Sequence, residues 1–264
     1  DEGTWITDVF YSIDNGSGFN TSEASGEVIW ESVLDDGWHE LTMEVVDGAG
    51  RVLTVNSTFA VDTKAPAIFF KTLKDGAFIN TSELELLWEI SENISGLKSQ
   101  STRIDGSQWS SIGKATRKTF YGLSEGPHLI EISIEDNIGN SERYLIDFTV
   151  DMRDPTLNIQ GISDGSSTRS IYLDILISSN GTGSGISSLN VTLDGELLSM
   201  DAGSLGLGPL NDGDHTIFVQ AMDMAGNRAN RSVTFRVDTL APDVIDHGPG
   251  GEGVPTNSEI FLIF

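Results

Sequence analysis

Apolar and polar residues alternate with a period of two through three stretches of this chain. His128, Ile130, Ile132, Ile134 and Asp136 fall on one face, and Leu129, Glu131, Ser133 and Glu135 on the other. The same register runs through His39, Leu41, Met43, Val45 and Asp47, and through His215, Ile217, Val219, Ala221 and Asp223. Period two with a single apolar face predicts strands buried on one side. A turn follows at Asp136-Asn137-Ile138-Gly139-Asn140 and at Asp223-Met224-Ala225-Gly226-Asn227, where Gly and Asn suit positive φ. The next alternating run points Tyr144, Ile146, Phe148 and Val150 inward, matched by Val233, Phe235 and Val237 and by Val55, Phe59 and Val61. Each stretch therefore predicts a β-hairpin.

The three hairpins are copies of one cassette. Their histidines, His39, His128 and His215, are 89 and 87 residues apart, and in each copy the hairpin Gly follows by 11 residues, the Phe by 20 and the closing Asp (Asp62, Asp151, Asp238) by 23. A period near ninety suits a whole domain per repeat. Upstream of each cassette lies a strand ending in YSIDNG, TRIDG or VTLDG, and before it SELELLWEI from Ser82 or SIYLDILI from Ser170, followed by SGL and SGI turns. A full unit reads as about seven short strands with no helix, which predicts an all-β fold of antiparallel two-sheet sandwiches in tandem. The expected boundaries are a partial domain at 1–62 lacking its first strands, complete domains at 63–151 and 152–238, and the opening strands of a further one at 239–264, so the chain reads as a slice of a longer array.

Composition narrows the function. Lys+Arg number 15 against Asp+Glu 40, a net charge of −25. Nucleic acid and anionic membrane surfaces are poor partners for such a chain, because both are bound through basic surface. No stretch approaches the ~20 apolar residues of a membrane span, and the chain has no cysteine. Eight N-x-[ST] triplets begin at Asn15, Asn20, Asn56, Asn80, Asn93, Asn180, Asn190 and Asn230. They predict an exported protein with candidate N-glycosylation sites on its surface.

The cassette G-x-H-x-h-x-h-x-[AEV]-x-D-x-x-G-N, with h hydrophobic, followed by F-x-V-D-T-x-A-P, resembles the tandem bacterial and archaeal Ig-like domains of large cell-surface proteins. The resemblance covers nearly the whole chain, and GEGVPTNSEIFLIF is similar to the start of an Ig-like subtype of S-layer and exoprotein arrays. It implies tandem Ig-like β-sandwiches in a linear array, outside the cell, serving as spacer, cell-wall or adhesive modules. Copy one departs with Arg51 in place of Asn. Copy two departs with Ile138 in place of Ala and Met152-Arg153-Asp154 in the linker.

Candidate chemistry is sparse. The three histidines each start a strand of a separate repeat and predict hydrogen-bonded structural residues. The junction and hairpin aspartates Asp62, Asp136, Asp151, Asp223 and Asp238 are the candidate ligands for calcium, which takes oxygen donors; turn aspartates also bind backbone N–H groups, and no dedicated calcium loop is present. Apart from calcium, no cofactor is expected. Lys98, Arg103, Lys114, Arg117 and Lys118 form the single basic run and the candidate ligand-binding group. Of the tryptophans, Trp88 is expected in the core, and Trp38 and Trp109 near turns. No hydrolase elbow, zinc-protease or nucleotide-binding motif occurs, and a position repeated in every copy is most simply needed by the fold. The expectation is a non-enzymatic extracellular spacer whose partners are its neighbouring Ig-like domains. The alternatives are an adhesin module binding a surface glycan or protein, and an accessory array of a secreted hydrolase.

Overall fold

The computed structural model describes residues 5–16, 18–21, 33–181, 183–199, 203–250, 253–255 and 257–263. All regular structure among them is β, with no helix. The chain divides into two compact units, one of Asp1–Ala77 with Ser82–Thr149, the other of Phe78–Thr81 with Val150–Phe264.

The first unit opens with a four-stranded antiparallel sheet of β1 (Ile6–Ile13), β2 (Phe19–Thr21), β3 (Gly37–Asp47) and β4 (Val52–Val61), ordered β2-β1-β3-β4. Two further sheets follow. β5 (Ala67–Phe70), β7 (Leu84–Ser91) and β10 (Arg117–Phe120) are ordered β10-β7-β5. β6 (Ala77–Ile79), β8 (Leu97–Ile104), β9 (Ser110–Ser111), β11 (Gly126–Asp136) and β12 (Ser141–Val150) are ordered β6-β12-β11-β8-β9. Their inner faces carry Leu84, Leu86, Trp88, Ile130, Ile132, Ile134, Ile146 and Phe148, all buried. The Trp88 indole N–H reaches across to the buried Gln100 carboxamide at 3.3 Å, so the polar atom of the largest core side chain is satisfied.

The second unit repeats the plan. β13 (Thr156–Gln160), β15 (Leu173–Asn180) and β18 (Ser204–Leu207) form one sheet, ordered β13-β15-β18. β14 (Ser166–Thr168), β16 (Ile186–Leu193), β17 (Glu196–Leu198), β19 (Gly213–Asp223) and β20 (Arg228–Val237) form the other, ordered β14-β20-β19-β16-β17. Ile159, Ile175, Ile177, Leu205 and Leu207 of the first sheet and Val191, Ile217, Val219, Val233, Phe235 and Val237 of the second make one buried cluster. A separate pair, β21 (Asp246–Gly248) and β22 (Phe261–Ile263), closes the described chain.

Two details differ from the sequence reading. Each complete sandwich has eight strands rather than about seven, because the opening strand breaks and its second half crosses to the other sheet. β14 pairs there in parallel with β20, Ser166 opposite Phe235 and Thr168 opposite Val237. In the second unit the break falls at Gly161, where φ is +101° and a Cβ would lie 2.3 Å from the Asp174 carbonyl oxygen, a place only glycine fits; the preceding sandwich breaks at Lys71-Thr72. In the first cassette, Val55 shares a face with Phe59 as expected, yet Val55 is 43% exposed and Leu53 63%. Among the described residues, 6–61 form a single sheet, so no second layer covers those side chains.

Candidate functional site

The turn joining β11 to β12 is built around Asp136, which is fully buried. Its Oδ1 accepts the N–H groups of Ile138, Gly139 and Asn140 at 3.0, 2.8 and 2.9 Å, and its Oδ2 accepts the Asn140 side-chain amide at 2.8 Å. Burial pushes this carboxyl up, and the donors from Asn140, Ile138 and Gly139 more than reverse that and hold it below its ordinary value. Asp223 repeats the arrangement, with the Asn227 N–H at 2.8 Å and its side-chain amide at 2.9 Å. In the first cassette Asp47 Oδ1 accepts the Ala49 and Arg51 N–H groups at 2.9 Å, and the Arg51 Nε donates to Oδ2 at 2.7 Å. The departure from Asn at position 51 thus keeps a donor on the same oxygen.

The same asparagines hold the aspartate that closes the preceding cassette. Asn140 Nδ2 also donates to the Asp62 carbonyl at 3.0 Å, and Asp62 accepts the Ser95 and Lys64 N–H groups, each at 3.2 Å. In the second unit, Asn227 Nδ2 donates to the Asp151 carbonyl at 2.7 Å, and the Asp151 carboxylate accepts the Ser184 N–H at 2.7 Å. Burial raises the Asp151 carboxyl, but the bonds from Ser184 and Arg153 leave it below the usual range. Asp238 lies exposed and binds the Leu240 N–H at 3.1 Å. Each of Asp62 and Asp151 is therefore seated between the serine–glycine turn and the hairpin turn of the sandwich that follows it in sequence.

The first of these seats gathers charge. Oxygens of Asp62, Glu92 and Asp136 lie within 4.8 Å of one another, beside a cleft of about 220 Å³ lined in part by Asp36, Lys64 and Asn93. Glu92 Oε1 accepts three N–H groups, from Ile94, Ser95 and Gly96, at 2.9, 3.1 and 3.1 Å. Ser95 Oγ is the one buried side-chain polar atom among the described residues that lacks a partner. In the second unit Gly181 occupies the place of Glu92, and Ser184 Oγ accepts the Ala225 N–H at 3.4 Å. Of the five candidate calcium ligands, the fold joins Asp62 to Asp136 and links Asp151 to Asp223 through Asn227, with Asp238 elsewhere. Glu92 escaped the sequence reading because it has no counterpart in the next copy; its position three residues before the serine–glycine turn was the available signal.

The basic run disperses over two sheets. Lys98 and Arg103 lie on β8, where they pair with Glu135 at 2.7 Å and Glu131 at 2.6 Å. The Arg103 and Arg143 guanidiniums sit 4.7 and 5.3 Å from the Trp109 ring centre, above the buried Glu131. Arg117 and Lys118 lie on β10 in the other sheet, where a two-residue period turns them to opposite faces, and Lys114 lies in the loop before it. All eight sequon asparagines, Asn15, Asn20, Asn56, Asn80, Asn93, Asn180, Asn190 and Asn230, are exposed, while the partner hydroxyls of Ser17, Ser22 and Thr182 fall outside the described residues. Trp88 is core, Trp38 is exposed, and Trp30 lies outside the described residues.

Residues 126–239, from the second hairpin to the end of the third cassette, match the family model described as bacterial Ig-like domain. No curated protein matches the chain. Among solved structures, the fibronectin(III)-like modules of Clostridium thermocellum CbhA align with TM-score 0.45 and 15% identity over 65% of this chain and 94% of theirs. Three N-terminal domains of the bacteriophage RB49 Hoc capsid protein align with TM-score 0.49 and 9% identity over 89% and 88%. Extracellular domains 3–5 of Drosophila OTK align with TM-score 0.43 and 9% identity over 88% and 85%.

Proposed function

We propose, from a chain of bacterial Ig-like β-sandwiches, that this protein is a non-catalytic spacer of a long extracellular protein, holding distal domains away from the cell. The observation that carries the proposal is the seating of the closing aspartates. A linker whose first residue is bonded by two turns of the following sandwich has lost much of its freedom, and the proline four residues on (Pro66, Pro155) removes more. Such a module needs stable beads and fixed joints, and no pocket. No helix among the described residues is long and apolar enough to cross a membrane.

The adhesin reading asked for a cluster that one domain has and its siblings lack. The basic run supports it little, since Lys98 and Arg103 are neutralised by Glu135 and Glu131. The test is binding of the chain to a glycan and cell-surface panel, with calcium and with chelator. The spacer predicts no saturable binding in either condition; saturable binding lost on neutralising Lys114, Arg117 and Lys118 would transfer the function to adhesion.

Calcium at the first joint is a second proposal, favoured by the convergence of Asp62, Glu92 and Asp136 and by the partnerless Ser95 Oγ. A divalent cation there would balance three carboxylates now held by N–H donors with Lys64 as the neighbouring cation, and would stiffen the joint.

A further inference from the structure

The three cassette histidines are bound in one common way. His39 Nδ1 lies 2.6 Å from Asp14 Oδ2 and its Nε2 2.7 Å from the Asp35 carbonyl oxygen. His128 has Asp105 Oδ2 at 2.7 Å and the Ser124 carbonyl at 2.8 Å. His215 has Asp194 Oδ2 and the Asn211 carbonyl, both at 2.8 Å. Each aspartate sits in the upstream hairpin turn at positive φ, 54°, 50° and 51°. Its other oxygen accepts the N–H of the residue after the histidine, Glu40, Leu129 or Thr216, at 2.9, 2.8 and 2.7 Å. Each ring also lies on the cassette phenylalanine, with centroids 5.5, 5.4 and 5.5 Å from Phe59, Phe148 and Phe235.

A neutral imidazole has one N–H donor and one lone pair. Here both ring nitrogens face oxygens, one a carboxylate and the other a backbone carbonyl, and a carbonyl can only accept. A neutral ring would leave a lone pair against an acceptor at under 3 Å, in one bond or the other. A proton on the aspartate would remove that conflict, but hydrogen bonds from the Glu40 N–H and His39 hold Asp14 below its ordinary value, and bonds from His215 and the Thr216 N–H do so for Asp194 against its burial. We infer that His39, His128 and His215 are doubly protonated imidazolium pins, each clamping a hairpin turn, the segment entering the next strand and an aromatic floor, and that losing the proton opens one side of the clamp in every repeat.

The charges facing the pins are carboxylates: Asp14 and Asp35 at His39, Asp105 at His128, Asp194 and Asp214 at His215. The strand on the far side contributes the phenylalanine and, beside His215, Arg236, whose guanidinium pairs with Asp214 at 3.1 Å. Accordingly His39 is raised above its ordinary value, chiefly by Asp14, and His215 by the Asn211 carbonyl and Asp194. Burial lowers His128, and Ser124 and Asp105 outweigh it to leave a net rise. A group raised on folding stabilises fully below its unfolded value, about 6.5 for histidine. That contribution disappears as pH climbs through the folded value.

The test is ring-nitrogen NMR of the whole chain labelled with ¹⁵N-histidine, titrated from pH 5 to 10 beside the same chain in urea. The pins predict two protonated nitrogens in each of the three rings at pH 7.0, with midpoints above that of the unfolded chain. Asp194→Asn, which keeps an acceptor for the Thr216 N–H, is predicted to lower the His215 midpoint and leave His39 and His128 in place. Three rings titrating with the unfolded midpoint, or carrying one bare nitrogen at pH 7.0, would overturn the inference. Should Asp194→Asn fail to fold, the native titration decides it alone.

Discussion

Replacing Asn227 with alanine should break the joint clasp of the second unit at a known cost. Asn227 is 9% exposed, and its Nδ2 donates to the Asp151 carbonyl at 2.7 Å and to Asp223 Oδ2 at 2.9 Å. Both acceptors belong to residues at or below 1% exposure, so water cannot replace the lost donor without opening the turn. A hydrogen bond to a charged group is worth about 1.5–3 kcal/mol and a neutral one about 0.5–1.5. Together they predict a loss of roughly 2–4 kcal/mol. In a sandwich of this size 1 kcal/mol moves the melting temperature by about 4–8 °C, so a fall of at least ~8 °C follows. Chain position gives the assay its selectivity. All five tryptophans, Trp5, Trp30, Trp38, Trp88 and Trp109, precede Asp151, so calorimetry follows the whole chain and tryptophan fluorescence only the first 151 residues. Asn227→Ala should lower a calorimetric transition more than it lowers the fluorescence one, whereas Asn140→Ala should lower the fluorescence transition. Asn158→Ala, exposed on β13, is the control. A loss below 0.5 kcal/mol for Asn227→Ala would refute the clasp.

Other perturbations test the remaining features. Calcium, compared with chelator, should raise the fluorescence melt of the native chain, and Glu92→Gln should abolish that rise; equal melts in both solutions would dismiss the ion. Gly161→Ala should destabilise the second unit by about 1–3 kcal/mol, the range for backbone strain at one residue; a neutral result in urea unfolding would contradict the strand break as described. Acid should weaken the chain because Asp136 and Asp151 are held below their ordinary value. Their contribution is present above about pH 4, the unfolded carboxyl value, and is lost as pH falls through the folded one. Chemical denaturation from pH 2 to 7 should show that decline, flattened in the Asp136→Asn variant.

The fold was legible where a pattern is local. Ile130, Ile132 and Ile134 recur at period two and lie buried in β11 as read, and the turns at Gly139 and Gly226 follow from residues within five positions. What escaped depends on contacts far apart in sequence. Asn140 donates to the Asp62 carbonyl across 78 residues, and nothing in the G-N pair shows that its amide serves two aspartates. The crossing of β14 onto β20 pairs residues about 69 apart, and the close backbone approach at Gly161 beside it has no local signal. The basic run looked continuous because sequence proximity ignores which sheet a strand joins; β8 and β10 belong to different ones. Glu92 has no counterpart in the next copy, where Gly181 stands, and such an unrepeated residue is where one copy can differ in chemistry from its siblings.

Seating of Asp62 by Ser95 and Asn140 should hold the first joint in one arrangement. With no native cysteine, spin labels at Thr58→Cys and Ser110→Cys can be placed cleanly on exposed positions of β4 and β9. Pulsed electron–electron resonance then measures the distribution of distances across the first joint. The account predicts one narrow distribution that broadens when Asp62 and Asn140 are both changed to alanine. A distribution already broad with both residues present would contradict it.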